Sequence, residues 1–146
     1  MKAVIQRVKK ASVIYENIKE ETGKGLVILL GVGKNDNEKD ISWLSEKILN
    51  LRIFSDDKNK FNFSVADVKG DILIVSQFTL YGDCQRGRRP DFTDAADPEK
   101  GNILYEKFVY ELKKSQLTVK TGKFAADMTV EIHNEGPVTI LMDTER

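Results

Sequence analysis

The residue types that usually carry hydrolytic or redox chemistry are scarce in this chain. It has one histidine, His133, and one cysteine, Cys84. A serine, threonine or cysteine nucleophile needs a base beside it, most often histidine. His133 shares strand parity with Thr129 and Glu131, the polar side of an alternating run, so it reads as a solvated surface residue rather than a general base. Cys84 sits beside arginines, but nothing near it in sequence completes a thiol mechanism. There is no glycine-rich phosphate loop, no GxSxG elbow and no HExxH pair, and no CxxC or Cys/His cluster with metal-ligand spacing. No cofactor and no metal are therefore expected. If the chain is an enzyme, it must work mainly by positioning and main-chain dipoles.

Two segments remain where such chemistry could live. In Ser76-Gln77-Phe78-Thr79-Leu80-Tyr81-Gly82 an apolar run abruptly presents hydroxyls and an amide. A buried strand that ends this way fixes its backbone while the next residues open to solvent, an arrangement that suits a site. A hydrogen-bonded Ser/Thr pair inside a strand is the plainer reading. In the second segment, Gly136-Pro137 interrupts an alternation of Met128, Val130 and Ile132 that Val138, Ile140 and Met142 resume. Proline lacks a backbone donor and belongs at a bend, and its peptide bond adopts the cis form at little cost. On composition alone an ordinary hairpin turn accounts for this pair.

The elements that would hold these segments follow from periodicity. Residues 3–8, 11–15 and 26–32 read as neighbouring antiparallel strands divided by Lys9-Lys10 and by Gly23-Lys24-Gly25. The run 26–32 is continuously apolar, which places it at the centre of a sheet covered on both faces. From Glu38, Ile41, Leu44, Ile48 and Leu51 recur at helical spacing, with Asp36 or Asn37 as cap, giving about four turns. Gly70-Asp71 precedes a second buried strand over residues 72–78. Asp97-Pro98 starts another helix, which carries Leu104, Tyr105, Phe108, Val109 and Leu112 inward and ends near Lys114. Short strands at 117–119 and 128–143 close the chain. The expected architecture is α+β: a curved, largely antiparallel sheet or barrel with two amphipathic helices packed on it.

At 146 residues the chain fits a single domain spanning residues 1–146, which would bury about 70% of the surface its unfolded form exposes. The single cysteine excludes an internal disulfide framework and suggests a reducing, cytoplasmic compartment. The longest aliphatic run, residues 26–30, is far too short to span a bilayer, and the first residues do not form a signal-peptide core. Basic and acidic side chains each number 23, so no global field draws in a polyanion. Contact with nucleic acid must be local. The densest basic cluster is Arg86-Gly87-Arg88-Arg89-Pro90, and a weaker one is Lys9-Lys10 with Lys2 and Arg7; either also reads as solvated surface.

Taken together, the blocks Ala3-Val4-Ile5-Gln6-Arg7-Val8, Leu29-Leu30-Gly31-Val32-Gly33, Leu49-Asn50-Leu51-Arg52-Ile53-Phe54, Ser76-Gln77-Phe78-Thr79-Leu80-Tyr81, Gly87-Arg88-Arg89-Pro90, Thr121-Gly122-Lys123-Phe124 and Gly136-Pro137-Val138-Thr139 run nearly end to end. In that order they resemble the D-aminoacyl-tRNA deacylases, homodimeric enzymes that remove D-amino acids mischarged onto tRNA. The resemblance implies a cis Gly136-Pro137 bond whose loop reaches into the partner subunit's pocket, with the carbonyls of both residues facing the substrate's α-carbon and ammonium. Asn134, Val138 and Thr139 would flank them on the substrate side. An L side chain would collide with those carbonyls, whereas a D side chain or the hydrogen of glycine would not, so glycyl-tRNA should also be cleaved.

On this reading the main-chain N–H of Phe78, within the segment Ser76, Gln77, Phe78 and Thr79, stabilises the oxyanion. Thr79 positions the substrate, and the 2′-OH of the terminal adenosine assists. Arg86, Arg88 and Arg89 would contact the tRNA. Two other classes stay open: a non-catalytic tRNA-binding module using the arginine loop and Lys9-Lys10, and a β-rich structural dimer with a buried Gly-Pro turn.

Overall fold

The computed structural model describes residues 1–145. Its first strand, β1 (Lys2–Tyr15), organises the sheet. Along one edge of β1 run β2 (Ile18–Thr22) and β3 (Gly25–Gly31), both antiparallel, and along the other runs β8 (Thr129–Asp143). Beyond β3 the order continues through β6 (Asp71–Ser76) to β7 (Val119–Thr121), and both of these contacts are parallel. The sheet is therefore mixed and curved, antiparallel around β1 and parallel from β3 outward. Parallel neighbours need crossovers, and the two helices supply them: α1 (Glu38–Asn50) lies between β3 and β6, and α2 (Pro98–Lys113) between β6 and β7. A small hairpin, β4 (Phe54–Ser55) with β5 (Phe61–Phe63), stands apart from the main sheet.

Both helices begin where their caps dictate. The Asn37 side chain accepts from the N–H of Lys39, and Asp40 returns a bond to the N–H of Asn37. Asp97 accepts from the N–H of Lys100, with Pro98 at the first helical position. No helix among the described residues is long and apolar enough to cross a membrane.

Two cores explain the uninterrupted apolar run of β3. Leu26, Ile28 and Leu30 face the helices together with Ala3, Ile5, Ile72, Ile74, Leu44, Ile48 and Phe108. Val27 faces the opposite way with Leu73, Val75, Val8, Ala11 and Val13, where Met128, Val130 and Ile132 cover it. On β1 this second face passes from Val8 to Ala11 to Val13, a spacing of three followed by two. Strict alternation would have turned Ala11 to the opposite face, the side of Ala3, Ile5 and Arg7. Pairing with β8 shifts between Val8 and Lys10, so one extra residue of β1 bulges and both Lys9 and Lys10 point to solvent. Residues 3–8 and 11–15, expected as separate strands, are one strand passing through that bulge.

Candidate active site

The first segment sits where β6 stops. Ser76 pairs with Leu30 and is half-buried, and the N–H of Gln77 donates to the carbonyl of Leu30 at 2.8 Å. The chain then tightens into a single 3-10 turn, Phe78–Tyr81. The strand therefore ends two residues earlier than periodicity predicts. Leu80 N–H reaches the carbonyl of Gln77, and Gly82 N–H that of Thr79. The N–H groups of Phe78 and Thr79 find no acceptor among the described residues, as expected at the start of such a turn.

The Gln77 side-chain amide donates to the hydroxyl oxygen of Thr79, orienting it. Phe78 is exposed and meets Phe92 edge-on, with ring centroids 5.1 Å apart. A groove of ≈ 320 Å³ opens beside the turn, lined by Lys2, Val4, Leu80 and Leu141 among others.

The far end of the turn is locked into the core. Tyr81 is buried, and its hydroxyl donates to Asp36 at 3.3 Å. The same buried carboxylate accepts from the N–H of Gly33 at 2.6 Å and from the Met1 nitrogen at 2.6 Å. Burial, reinforced by the Asp36 charge, pushes the Tyr81 phenol well above its ordinary range. Glycine at position 33 is required by contact, because a Cβ there would lie 2.6 Å from the tyrosine oxygen.

The second segment is not a hairpin turn. β8 continues through it, antiparallel to β1 on both sides: Thr139 pairs with Gln6 and Asn134 with Val8. Between those partners β1 has only Arg7, whereas β8 has Glu135, Gly136, Pro137 and Val138. The surplus leaves the sheet as a bulge, with Gly136 and Pro137 exposed and the bond between them cis. Gly136 has φ +125°, and a Cβ there would lie 3.1 Å from an Arg7 nitrogen and 3.1 Å from the Val138 N–H nitrogen. Asn134 and Thr139 are exposed at the two feet of the bulge, and Val138 packs back on the main core.

Arg7 holds this bulge in place. It is buried, its Nε donates to the carbonyl of Glu135 at 3.1 Å, and its Nη1 donates to the carbonyl of Ile53 at 2.8 Å. The Glu135 carboxylate lies 3.7 Å from Nε, and the guanidinium sits 5.6 Å from the Phe61 ring centroid. Sequence reading placed Arg7 only in a weak basic cluster. The available signal was parity: Ala3, Ile5 and Arg7 share one side of β1, and a charge on the buried side needs a structural partner.

The two segments do not meet within one chain. Ser76 is level with Leu30, Ala3 and Met142, whereas the bulge is level with Arg7, Leu26 and Ile72. Four residues along the strands and three strand spacings across put them about 20 Å apart. Arg86, Arg88 and Arg89 are all exposed on the loop that follows the 3-10 turn, whose ends, Asp83 and Asp91, exchange both main-chain hydrogen bonds. None of the three arginines enters an ion pair among the described residues. Cys84 is exposed on the same loop, and His133 is exposed opposite Lys10.

Residues 4–143 match the family model described as D-Tyr-tRNA(Tyr) deacylase. A curated relative from Petrotoga mobilis, named D-aminoacyl-tRNA deacylase, is 54% identical over 100% of this chain and 99% of its own length. One of the same name from Thermosipho melanesiensis is 56% identical with the same coverage. Among solved structures, one described as c-Myc DNA Unwinding Element Binding Protein superposes with a TM-score of 0.92 at 42% identity, covering 99% of each chain. A second, described as a probable eukaryotic D-amino acid tRNA deacylase, has the same fold, with a TM-score of 0.84 at 17% identity and 97% of each chain covered.

Proposed function

The chain belongs to the D-Tyr-tRNA(Tyr) deacylase family, hydrolases that act on aminoacyl-tRNA, and we propose that it cleaves the ester of D-aminoacyl-tRNA with main-chain groups at two separated segments. The observation that carries this reading is the pairing of a strand end bearing a free Phe78 N–H with an exposed Gly136-Pro137 bulge that a buried arginine holds outward. Neither segment suffices alone. A homodimer in which the bulge of one subunit enters the partner's strand end would bring them together. Three features favour it: the separation of about 20 Å within one chain, the outer edge of the long strand β8, unpaired among the described residues, and Leu141 left 76% exposed beside the strand-end groove.

In that arrangement the carbonyl oxygens of Gly136 and Pro137 face the substrate's α-carbon and ammonium. Asn134, Val138 and Thr139 flank them on the substrate side. An L side chain is rejected by collision with the carbonyls, and selection works by exclusion of the wrong hand. Glycyl-tRNA, having no side chain to exclude, is also a substrate. As the ester carbonyl becomes tetrahedral, the Phe78 N–H donates to its oxyanion; a donor of this kind typically lowers the barrier by about 3 kcal/mol.

Thr79, held by Gln77, orients the substrate and does not attack it, since no base lies beside it and the sole histidine is exposed on β8. Ser76 anchors the end of β6. The attacking water is positioned with help from the 2′-OH of the terminal ribose, so a 2′-deoxy terminus is cleaved poorly. Arg86, Arg88 and Arg89 contact phosphates of the acceptor end. The reaction takes place in the cytoplasm, where charged tRNA is used, and needs no cofactor.

The test is release of D-Tyr and L-Tyr from charged tRNA. Fast D-Tyr release with L-Tyr-tRNA left intact supports the reading, and equal rates or no D-Tyr release refute it. A non-catalytic tRNA-binding module would instead show salt-sensitive tRNA affinity with the ester preserved.

A further inference from the structure

The bulge in β1 displays a pair of cations beside the Gly-Pro loop. Val8 and Ala11 both face the second core, and the extra residue between them turns Lys9 and Lys10 outward together. Val8 lies opposite Asn134 and Lys10 opposite His133, so two to three residues along β8 and one strand spacing across put the main chain of both lysines about 10–11 Å from that of Gly136. The acidic side chains nearby are already engaged. Glu135 lies against Arg7, while Glu131 accepts from the Ser12 hydroxyl at 2.8 Å and pairs with Lys19 at 3.6 Å. Lys9 and Lys10 enter no ion pair among the described residues, and His133 and Asn134 beside them are exposed and carry no negative charge. The result is a local positive patch on a chain whose formal net charge is zero.

We infer that Lys9 and Lys10 form a phosphate-binding patch for the single-stranded 3′ end of the tRNA, acting in trans on the substrate held at the partner subunit's strand end. This rests on the function proposed above. If the bulge of one subunit reaches the scissile ester in the other, the residues at its foot arrive with it. The ester lies on the terminal ribose, so the phosphodiesters just upstream are the nearest anions. Arg86, Arg88 and Arg89 follow the strand-end turn of the subunit that holds the ester, whereas Lys9 and Lys10 come from its partner. The tRNA end is gripped from two subunits, which accounts for two separate basic clusters in a neutral chain.

The measurement is steady-state deacylation of D-Tyr-tRNA over a range of KCl concentrations by the wild type, a Lys9→Ala/Lys10→Ala variant and a charge-keeping Lys9→Arg/Lys10→Arg variant. D-Tyr-adenosine, a nucleoside ester without phosphates, serves as a parallel substrate. The alanine pair is expected to raise KM for the tRNA about 10-fold with kcat within about twofold, and to flatten the slope of log kcat/KM against log salt by about 1.4, two phosphates at about 0.7 each. The arginine pair should keep the wild-type slope, and all three proteins should cleave D-Tyr-adenosine alike.

An unchanged KM and slope in the alanine pair, alongside active wild type, overturns the phosphate patch and leaves the deacylase reading standing. Equal loss on tRNA and on D-Tyr-adenosine also overturns it. A wild type that releases no D-Tyr from tRNA overturns both.

Discussion

The strand end and the Gly-Pro bulge solve opposite problems. The strand end is fixed from within: Gln77 hangs from Leu30, and Tyr81 is tied through Asp36 to Gly33, so the bare N–H of Phe78 is held by the core itself. The bulge is displayed outward, four residues of β8 opposite one of β1, and is tied down mainly by the buried Arg7, which donates to the carbonyls of Glu135 and Ile53, and by Val138 packed on the core. One region holds a main-chain donor on a rigid frame. The other is a loop displaced from its own sheet, which the proposed mechanism uses to offer acceptors to a partner subunit. A main-chain catalyst needs both, because neither carbonyls nor N–H groups can be tuned by changing a side chain; only their placement can be selected.

Substitutions should separate the two regions in order of severity. Gly136→Val is expected to abolish D-Tyr release while the protein stays folded. Its φ of +125° strains any L side chain, and a Cβ 3.1 Å from Arg7 and Val138 would force the loop to shift; the site is exposed, so circular dichroism should be unchanged. Activity above about 10% of wild type would show that the bulge tolerates displacement and does not set the geometry.

Arg7→Ala comes next, with an expected loss of about 3 kcal/mol of unfolding free energy, because two carbonyls and a carboxylate lose a buried charged partner. D-Tyr release should fall with it, and L-Tyr release should rise relative to D-Tyr as the filter loosens. A urea titration with both rates measured checks this; retained stability together with retained selectivity would move the support of the bulge elsewhere. Thr79→Ala is expected to have the smallest effect, less than about 10-fold in kcat, as a positioning hydroxyl should. Complete loss, with an acyl-enzyme trapped in Thr79→Ser, would replace the main-chain mechanism by a covalent one.

Local features were the legible ones. Asp36 or Asn37 and Asp97 announced both helices because a cap and an apolar period lie within one short window; Asn37 is the cap, while Asp36 turns into the core. That a buried strand gives way to polar groups within residues 76–82 was readable from the abrupt change in residue type, although the strand ends at Ser76 and not at Phe78. Strand direction was not, since an alternating or continuous apolar run looks the same whether its neighbour is parallel or antiparallel. The parallel contacts of β3, β6 and β7 follow only from the helices between them.

The Gly-Pro pair looked like a turn between two strands because its meaning lies in the partner strand: the same residues form a bulge once β1 offers one residue against four. Lys9-Lys10 misled for the same reason. A parity break between Val8 and Ala11 is as consistent with a turn as with a bulge until β8 is known to span it. Arg7 was visible as a charge on a buried parity, yet its partners at positions 53 and 135 are far away in sequence.

If the strand end and the bulge act together across two subunits, mixing two defective subunits should restore activity. Phe78→Pro removes the strand-end donor and leaves the bulge, and Gly136→Val does the reverse. Each homodimer should be nearly inactive. A mixture that exchanges subunits at random should regain about one quarter of wild-type D-Tyr release, since half the dimers are mixed and each mixed dimer has one intact site of two. A mixture that exchanges subunits, verified by mass, yet stays as inactive as its parents would show that the two segments do not act across subunits.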